Sequence, residues 1–356
     1  MNPNIKNYTF SEIREIFSDN NFPSFRAEQL YKEIYIKRST NFDDMKLLPK
    51  QIKSFLSDNY SIDSFTNSKK LVSIDGSVKL LFTLHDGQAI ESVLMPWYDS
   101  DKENLIRTTL CVSSQVGCGL DCKFCATGTM GLTRNLEAHE IISQVLEAER
   151  LTDSKITNIV YMGMGEPLLN FKNVKTSILN LTDPTAKILS RKRITVSTSG
   201  VVPKIKKLAD LKPNVKLAIS LHATTNGVRD KIVPINLKSN INQLMDAVED
   251  YYRFTKMPIT YEYIPFLDLN DTKEDAKRLA KISKRVPSRI NLIPFNDISF
   301  TNPQGISAQL KPTPPEKIKI FAQQIKDFGG VVTIRDTFGK DIDAACGQLA
   351  LSDKNN

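Results

Sequence analysis

No apolar run in this sequence approaches the ~20 residues that span a bilayer. The first twenty residues are polar and lack the apolar core of a secretory signal. Neither a membrane partner nor export is expected, and the chain reads as cytoplasmic. Internal repeats and low-complexity segments are absent as well. Cysteine is scarce, five in 356 residues. Four of the five fall between Cys111 and Cys125. An odd count gathered in this way is a metal or redox pattern, not a secreted disulfide framework. Acidic residues number 40 against 48 basic ones, and the net charge of +8 suits a polyanionic partner.

What is present centres on residues 111–136, CVSSQVGCGLDCKFCATGTMGLTRNL. Cys118, Cys122 and Cys125 have the spacing C-x3-C-x2-C. Three thiolates this close can wrap one face of a metal centre, yet a structural zinc wants four protein ligands. Three cysteines on a four-iron cluster leave one iron open to a small chelating molecule. The spacing is the signature of radical S-adenosylmethionine (SAM) enzymes. A zinc site completed by a distant residue, or thiols with no metal, are the other readings.

Around this stretch the chain divides into three. Residues 1–66 predict a helical accessory domain, with helices over 11–17, 23–37 and 49–59. Arg26, Lys32, Lys37 and Arg38 lie there among aromatics, as an RNA-docking face or as a solvated one. Residues 67–104 predict a β-meander turned at Asp75-Gly76 and Asp86-Gly87, then a polar linker over 99–104. Over 105–350, strand-like runs at 108–113, 158–162, 193–198, 216–221, 259–263 and 289–294 alternate with helical ones. The latter are 137–151, 170–181, 201–208, 241–252, 271–283 and 314–328. Residues 331–334 read as an extra strand. The expected fold is α/β, a partial (β/α)6 barrel with function at the strands' C-terminal ends.

Residues at those ends suggest a site. Met162-Gly163-Met164-Gly165-Glu166-Pro167 pairs glycines, which let a ligand approach the backbone, with a carboxylate that can hold an ammonium. It is equally read as a turn closed by Gly and Pro. Taken singly, His222 reads as a core histidine and Asn296 as a turn residue. Cys346 alone reads as a buried small hydrophobe. Cys111 reads as a core position in the first barrel strand. Glu91 is as well read as a surface glutamate on an edge strand.

The stretch LCVSSQVGCGLDCKFCATGTMGLTRNL resembles the RlmN family of radical SAM RNA methyltransferases, whose relative Cfr has a similar segment. TIRDTFGKDIDAACGQLA matches the family at its other diagnostic stretch. The resemblance covers most of residues 90–350. It implies a [4Fe-4S] cluster on Cys118, Cys122 and Cys125, and two SAM molecules per turnover. It places Gly165, Glu166 and Ser197 at SAM, Ser220, Leu221 and His222 against its ribose and adenine, and Asn296 at its adenine. It makes Cys346 a methyl-carrying covalent residue, Cys111 the thiol that releases the product through a transient disulfide, and Glu91 a proton acceptor. The implied partners are 23S rRNA at the peptidyl-transferase centre, tRNA beside the anticodon, and an electron donor such as flavodoxin. The implied product is 2-methyladenosine, made by a monomer. The alternatives are Cfr-like methylation at adenosine C8, and a non-catalytic iron–sulfur sensor that binds nucleic acid. The sensor would need neither Cys346 nor the strand-end motifs.

Overall fold

The computed structural model describes residues 2–350 apart from Ser100, Lys102, Lys212 and Pro213. The chain begins with three helices, α1 (Phe10–Asp19), α2 (Ser24–Tyr35) and α3 (Lys50–Asn59). Thr9 and Glu12 close α1 with a reciprocal capping box, and prolines precede α2 and α3. Ile13, Phe17, Leu30, Ile34, Ile52 and Leu56 recur at helical spacing and are buried. Arg26, Lys32, Lys37 and Arg38 are locally engaged. Arg26 donates to Gln29, while Lys32, Lys37 and Arg38 pair with Glu28, Glu33 and Glu149.

Ten strands form one sheet, in the order β1-β2-β3-β4-β7-β8-β9-β10-β11-β12. The antiparallel part is β1 (Phe65–Val72), β2 (Val78–Leu84), β3 (Ala89–Tyr98) and β4 (Leu105–Cys111). From β4 the sheet runs parallel through β7 (Asn158–Tyr161), β8 (Ile194–Thr198), β9 (Lys216–Ser220), β10 (Ile259–Tyr263), β11 (Ser288–Leu292) and β12 (Val332–Ile334). Residues 99–104 are a hairpin connection: Asp99 N–H donates to Asn104 O, and Tyr98 pairs with Leu105. Ser100 and Lys102 of that stretch lie outside the described residues. The meander therefore continues the barrel sheet.

Between the parallel strands lie α5 (Ala138–Thr152), α6 (Phe171–Thr182), α7 (Val202–Ala209), α8 (Asn226–Ile232), α9 (Ile241–Thr255), α10 (Lys273–Ser283) and α11 (Pro315–Asp327). Ile241, Leu244, Met245, Val248 and Tyr251 make one apolar stripe on α9. Among the described residues no helix is long and apolar enough to cross a membrane.

β10 shows why the barrel is not solid. Outward-facing Tyr261 and Tyr263 pack under helices, Tyr261 against Met245 and Tyr263 against Phe321. Inward-facing Thr260 and Glu262 line a cavity of about 300 Å³. Polar residues on the inner face leave room where a closed barrel would be filled with branched apolar side chains.

After β12 the chain crosses to the meander. Asp75 accepts from Gly339 N–H at 2.7 Å, Asp341 accepts from Ser73 Oγ at 2.5 Å, and Lys79 Nζ donates to Asp343 O at 3.3 Å. The meander thus anchors the C-terminal tail.

Candidate active site

The cysteine loop is framed by a small antiparallel pair, β5 (Gln115–Gly117) and β6 (Leu132–Asn135), with the short helix α4 (Ala126–Thr129) inside it. None of these three elements was apparent from periodicity. Gly117 has φ +75°, and a Cβ there would lie 1.9 Å from Gly131 O, so only glycine lets the two arms meet. Cys118 N–H then bonds to Gly131 O at 2.7 Å. Cys118, Cys122 and Cys125 pack in one apolar cluster with Leu120, Phe124, Ala223 and Phe266. Burial, opposed by the Leu120 backbone, raises the Cys118 thiol to about 12, and burial raises Cys122 and Cys125 as well.

Among the described residues no three His, Cys, Asp or Glu side chains converge tightly enough for a single ion. Yet the three thiols influence one another, Cys122 feeling both Cys125 and Cys118. The donor set is all thiolate, the usual ligand set of iron–sulfur clusters.

Gly165 and Glu166 follow β7. Gly165 has φ +96°, and a Cβ would lie 2.5 Å from the Gln115 side chain. Gln115 in turn accepts the Glu166 N–H at 2.8 Å. The Glu166 carboxylate is buried and accepts N–H bonds from Ser199 (2.8 Å) and Leu168 (3.0 Å). Desolvation outweighs these bonds and raises it to about 7. It forms no ion pair within the described protein, so it fits the ammonium of a bound amino acid.

Ser197 and Ser220 end adjacent strands, their hydroxyls 3.4 Å apart. Leu221 is fully buried, and His222 follows with φ +53°. Ile264 N–H donates to His222 Nδ1, and the ring packs edge-on to Phe124. Burial, then Arg229, pushes the imidazole down to about 3, so it stays neutral.

The tail closes the site from the other side. Ala126 N–H donates to Gly347 O at 2.7 Å, and Thr127 Oγ1 to Leu349 O at 2.5 Å. These bonds hold Cys346 against the cysteine loop. Asn296, expected at an adenine, donates its amide to Cys346 O at 3.1 Å. Cys111 and Cys346 line the same cavity, and the charge of Cys346 is felt at Cys111. Cys111 is buried and Cys346 exposed toward the cavity. Desolvation raises both thiols, and nearby Glu262 adds to the effect on Cys346.

Glu91 is fully buried, which corrects the reading as a surface glutamate. Its carboxylate pairs with Lys79 at 2.7 Å, and its backbone carbonyl accepts from Ser113 Oγ. It shares the face of β3 that carries Val93, the register partner of Cys111, but is not on the cavity wall.

Three further residues escaped sequence reasoning. Glu262 lines the cavity, and desolvation, eased by a bond from Asn291 Nδ2, lifts it to about 7. An acid at an inward register of an apolar strand was its signal. Lys79 joins Glu91 to the tail, and nothing in its local sequence marked it. Arg229 is fully buried on α8. It donates to Ser199 O (2.6 Å), Ser220 O (3.1 Å), Leu221 O (3.0 Å) and Asn236 Oδ1 (3.0 Å), fixing the ends of β8 and β9 together.

Residues 112–284 match the family model of the radical SAM superfamily. Residues 3–62 match the ribosomal RNA large subunit methyltransferase N-terminal domain. The chain is similar to the probable dual-specificity RNA methyltransferase RlmN of Cytophaga hutchinsonii, 41% identical over 353 residues that cover 98% of this chain and 93% of that protein. It is also similar to the dual-specificity RNA methyltransferase RlmN of Aliarcobacter butzleri, 39% identical over 362 residues that cover 99% and 98%. Among solved structures, a radical SAM methyltransferase from Sphaerobacter thermophilus superposes with a TM-score of 0.88 at 37% identity, covering 98% of this chain and 99% of that one.

Proposed function

The chain belongs to the RlmN family of radical SAM, dual-specificity RNA methyltransferases, and on that premise we propose that it forms 2-methyladenosine in 23S rRNA and in tRNA. The family uses a [4Fe-4S] cluster and two SAM molecules per turnover. When bound, these supply the methyl group and the carbon-radical chemistry that an electron-poor adenine C2 demands. The observation that carries the reading is the pair Cys111 and Cys346 on one cavity wall, with the tail bonded to the three-cysteine loop.

Each residue has a part. Cys118, Cys122 and Cys125 would hold three irons. Glu166 would receive the SAM ammonium, with Gly165 giving the backbone room. Ser197, Ser220, Leu221 and His222 would line the nucleoside half, and Asn296 divides between that role and fixing the tail. Cys346 carries the new carbon to the base. Its raised pKa means that a proton must leave before the sulfur can accept a methyl group. Cys111, as a thiolate, then attacks the Cys346 sulfur; the bond from that sulfur to the carbon breaks, the carbon takes the bonding pair and a proton to become the methyl group on the freed base, and a Cys111–Cys346 disulfide forms. Two electrons and two protons from a donor such as flavodoxin restore both thiols. Glu91, paired with Lys79, is the proposed acceptor of the C2 proton. Glu262 is a second candidate, because it lines the cavity with a pKa near neutrality, where a general base works best.

Cytoplasmic placement and a monomeric enzyme follow the same reading. Mass spectrometry of nucleosides from rRNA and tRNA treated with the purified, reduced enzyme tests it. A 2-methyladenosine product is expected, 8-methyladenosine would give the Cfr-like activity, and no methylated adenosine would leave the sensor.

A further inference from the structure

The cavity that holds Cys111 and Cys346 also reaches the opposite rim of the barrel. Arg107 lies early in β4, Arg193 directly precedes β8, Lys216 opens β9, and Arg289 is the second residue of β11. These strands run parallel, so the four cations share the N-terminal edge. Arg335, after β12, reaches the same place: its guanidinium and that of Arg107 lie 4.8 and 4.3 Å from the centre of the Trp97 ring. Arg107, Lys216, Arg289, Arg335 and Trp97 all line the cavity.

This rim has positive charge in excess. Arg107 feels Arg335 and Arg193, and Lys216 feels Arg289, Arg193 and Arg107. Desolvation and then this mutual repulsion lower the pKa of both. Among the described residues no ion pair neutralises any of the five, although cations elsewhere on the surface are commonly paired. Glu262 and Asp336 are the acids on the cavity wall, and Glu262 faces Arg335. Two donors at the rim, Arg107 Nε and Trp97 Nε1, are buried without an acceptor. Unpaired donors and crowded like charges at a cavity mouth call for an anion.

We propose that this rim is the RNA entrance, where Arg107, Arg193, Lys216, Arg289 and Arg335 meet the phosphodiester groups flanking the target adenosine while its base enters the cavity toward Cys346. The inference rests on the function proposed above and adds the surface that holds the substrate. A base in a stack cannot reach a thiol inside a barrel, so its nucleotide must be turned out. A backbone then lies across the mouth with one charge per nucleotide, matching several cations at once. A free phosphate would match one or two.

The test is fluorescence anisotropy of a labelled RNA hairpin carrying a loop adenosine, with cluster-loaded protein over a salt series. The variants are Lys216→Gln with Arg289→Gln, both at exposed positions. Loss of two phosphate contacts should lower the salt slope by ~1.4, at ~0.7 per contact for single strands. The dissociation constant should rise about tenfold or more, and methylation should fall through KM rather than kcat. Lys206→Gln with Lys207→Gln, exposed on α7, is the control that keeps the wild-type slope. Tripolyphosphate should compete with the RNA only weakly; displacement at charge-matched concentration would make the rim a small-anion site and overturn the proposal. So would a rim double variant with wild-type affinity and slope, or wild-type protein that binds no RNA. Should the double variant lose iron or melt early, the single variants decide, each with an expected drop of ~0.7. Failure of the methyltransferase reading is distinct: wild-type protein would bind RNA through the rim and leave every adenosine unmodified.

Discussion

Glu166→Gln isolates the chemistry of one buried charge. In the folded chain this carboxyl ionises near 7, against 4.5 when unperturbed, because burial withdraws it from water. Between those values the native state keeps a proton that the unfolded chain gives up. Stability is therefore fully present below about pH 4.5 and falls as pH rises through 7. The total is about 3 kcal/mol. Glu262 acts with the same sign, and His222 oppositely, since its stability is lost as pH falls below 6.5. Both cancel in a difference between wild type and Glu166→Gln. Gln has one acceptor oxygen for the N–H groups of Ser199 and Leu168, which adds a pH-independent offset of about 1–3 kcal/mol. The assay is urea denaturation of the reduced, cluster-free proteins from about pH 5 to about pH 8, followed by circular dichroism. The difference curve should tilt by about 2–3 kcal/mol across that range, wild type losing more as pH rises. A flat difference would refute the argument that this carboxylate is buried without a counter-charge. The same substitution should weaken SAM binding by about tenfold or more, the value of a hydrogen bond to a charged group.

Other outcomes follow from the cysteines and the buried pair. Protein purified without oxygen should carry about four irons per chain, and Ala at Cys118, Cys122 or Cys125 should remove both iron and SAM cleavage; stoichiometric zinc in iron-replete cells would overturn the cluster assignment. Cys346→Ala should retain iron but leave RNA unmethylated, and the wild-type peptide containing Cys346 should gain one methyl group on incubation with SAM. Cys111→Ala should stop with RNA bound covalently through Cys346, seen as a denaturant-resistant, nuclease-sensitive shifted band; multiple turnovers by this variant would remove its resolving role. Lys79→Met should destabilise the fold by about 3–5 kcal/mol, because it breaks a buried ion pair by removing one member, and Lys79→Met with Glu91→Leu should recover part of that loss in a denaturation midpoint.

Much of this protein was legible in the sequence because the relevant signals are local. Apolar spacing located α9 and the other barrel helices, and an Asp-Gly turn marked each hairpin of the meander. The cysteine spacing spoke of a metal centre because one loop supplies all three thiols. Element ends moved by a residue or a few, as at β4, where predicted 108–113 became Leu105–Cys111. Short elements held by tertiary contacts, such as β5, β6, α4 and α8, gave no periodic signal.

The tertiary structure decided what lies opposite what. Cys111 and Cys346 stand at distant points of the chain, and they share a cavity because the tail is bonded to the meander through Asp75, Asp341 and Asp343 and to the cysteine loop through Gly347 and Leu349. Lys79 found Glu91 across two strands, and Arg229 found three carbonyls at the ends of β8 and β9. The cationic rim exists because parallel strands bring residues from four separate segments to one edge. Each residue alone is an ordinary lysine or arginine. Charge, burial and the position of a thiol toward a substrate depend on neighbours, and a sheet chooses neighbours by register across strands rather than by order along the chain.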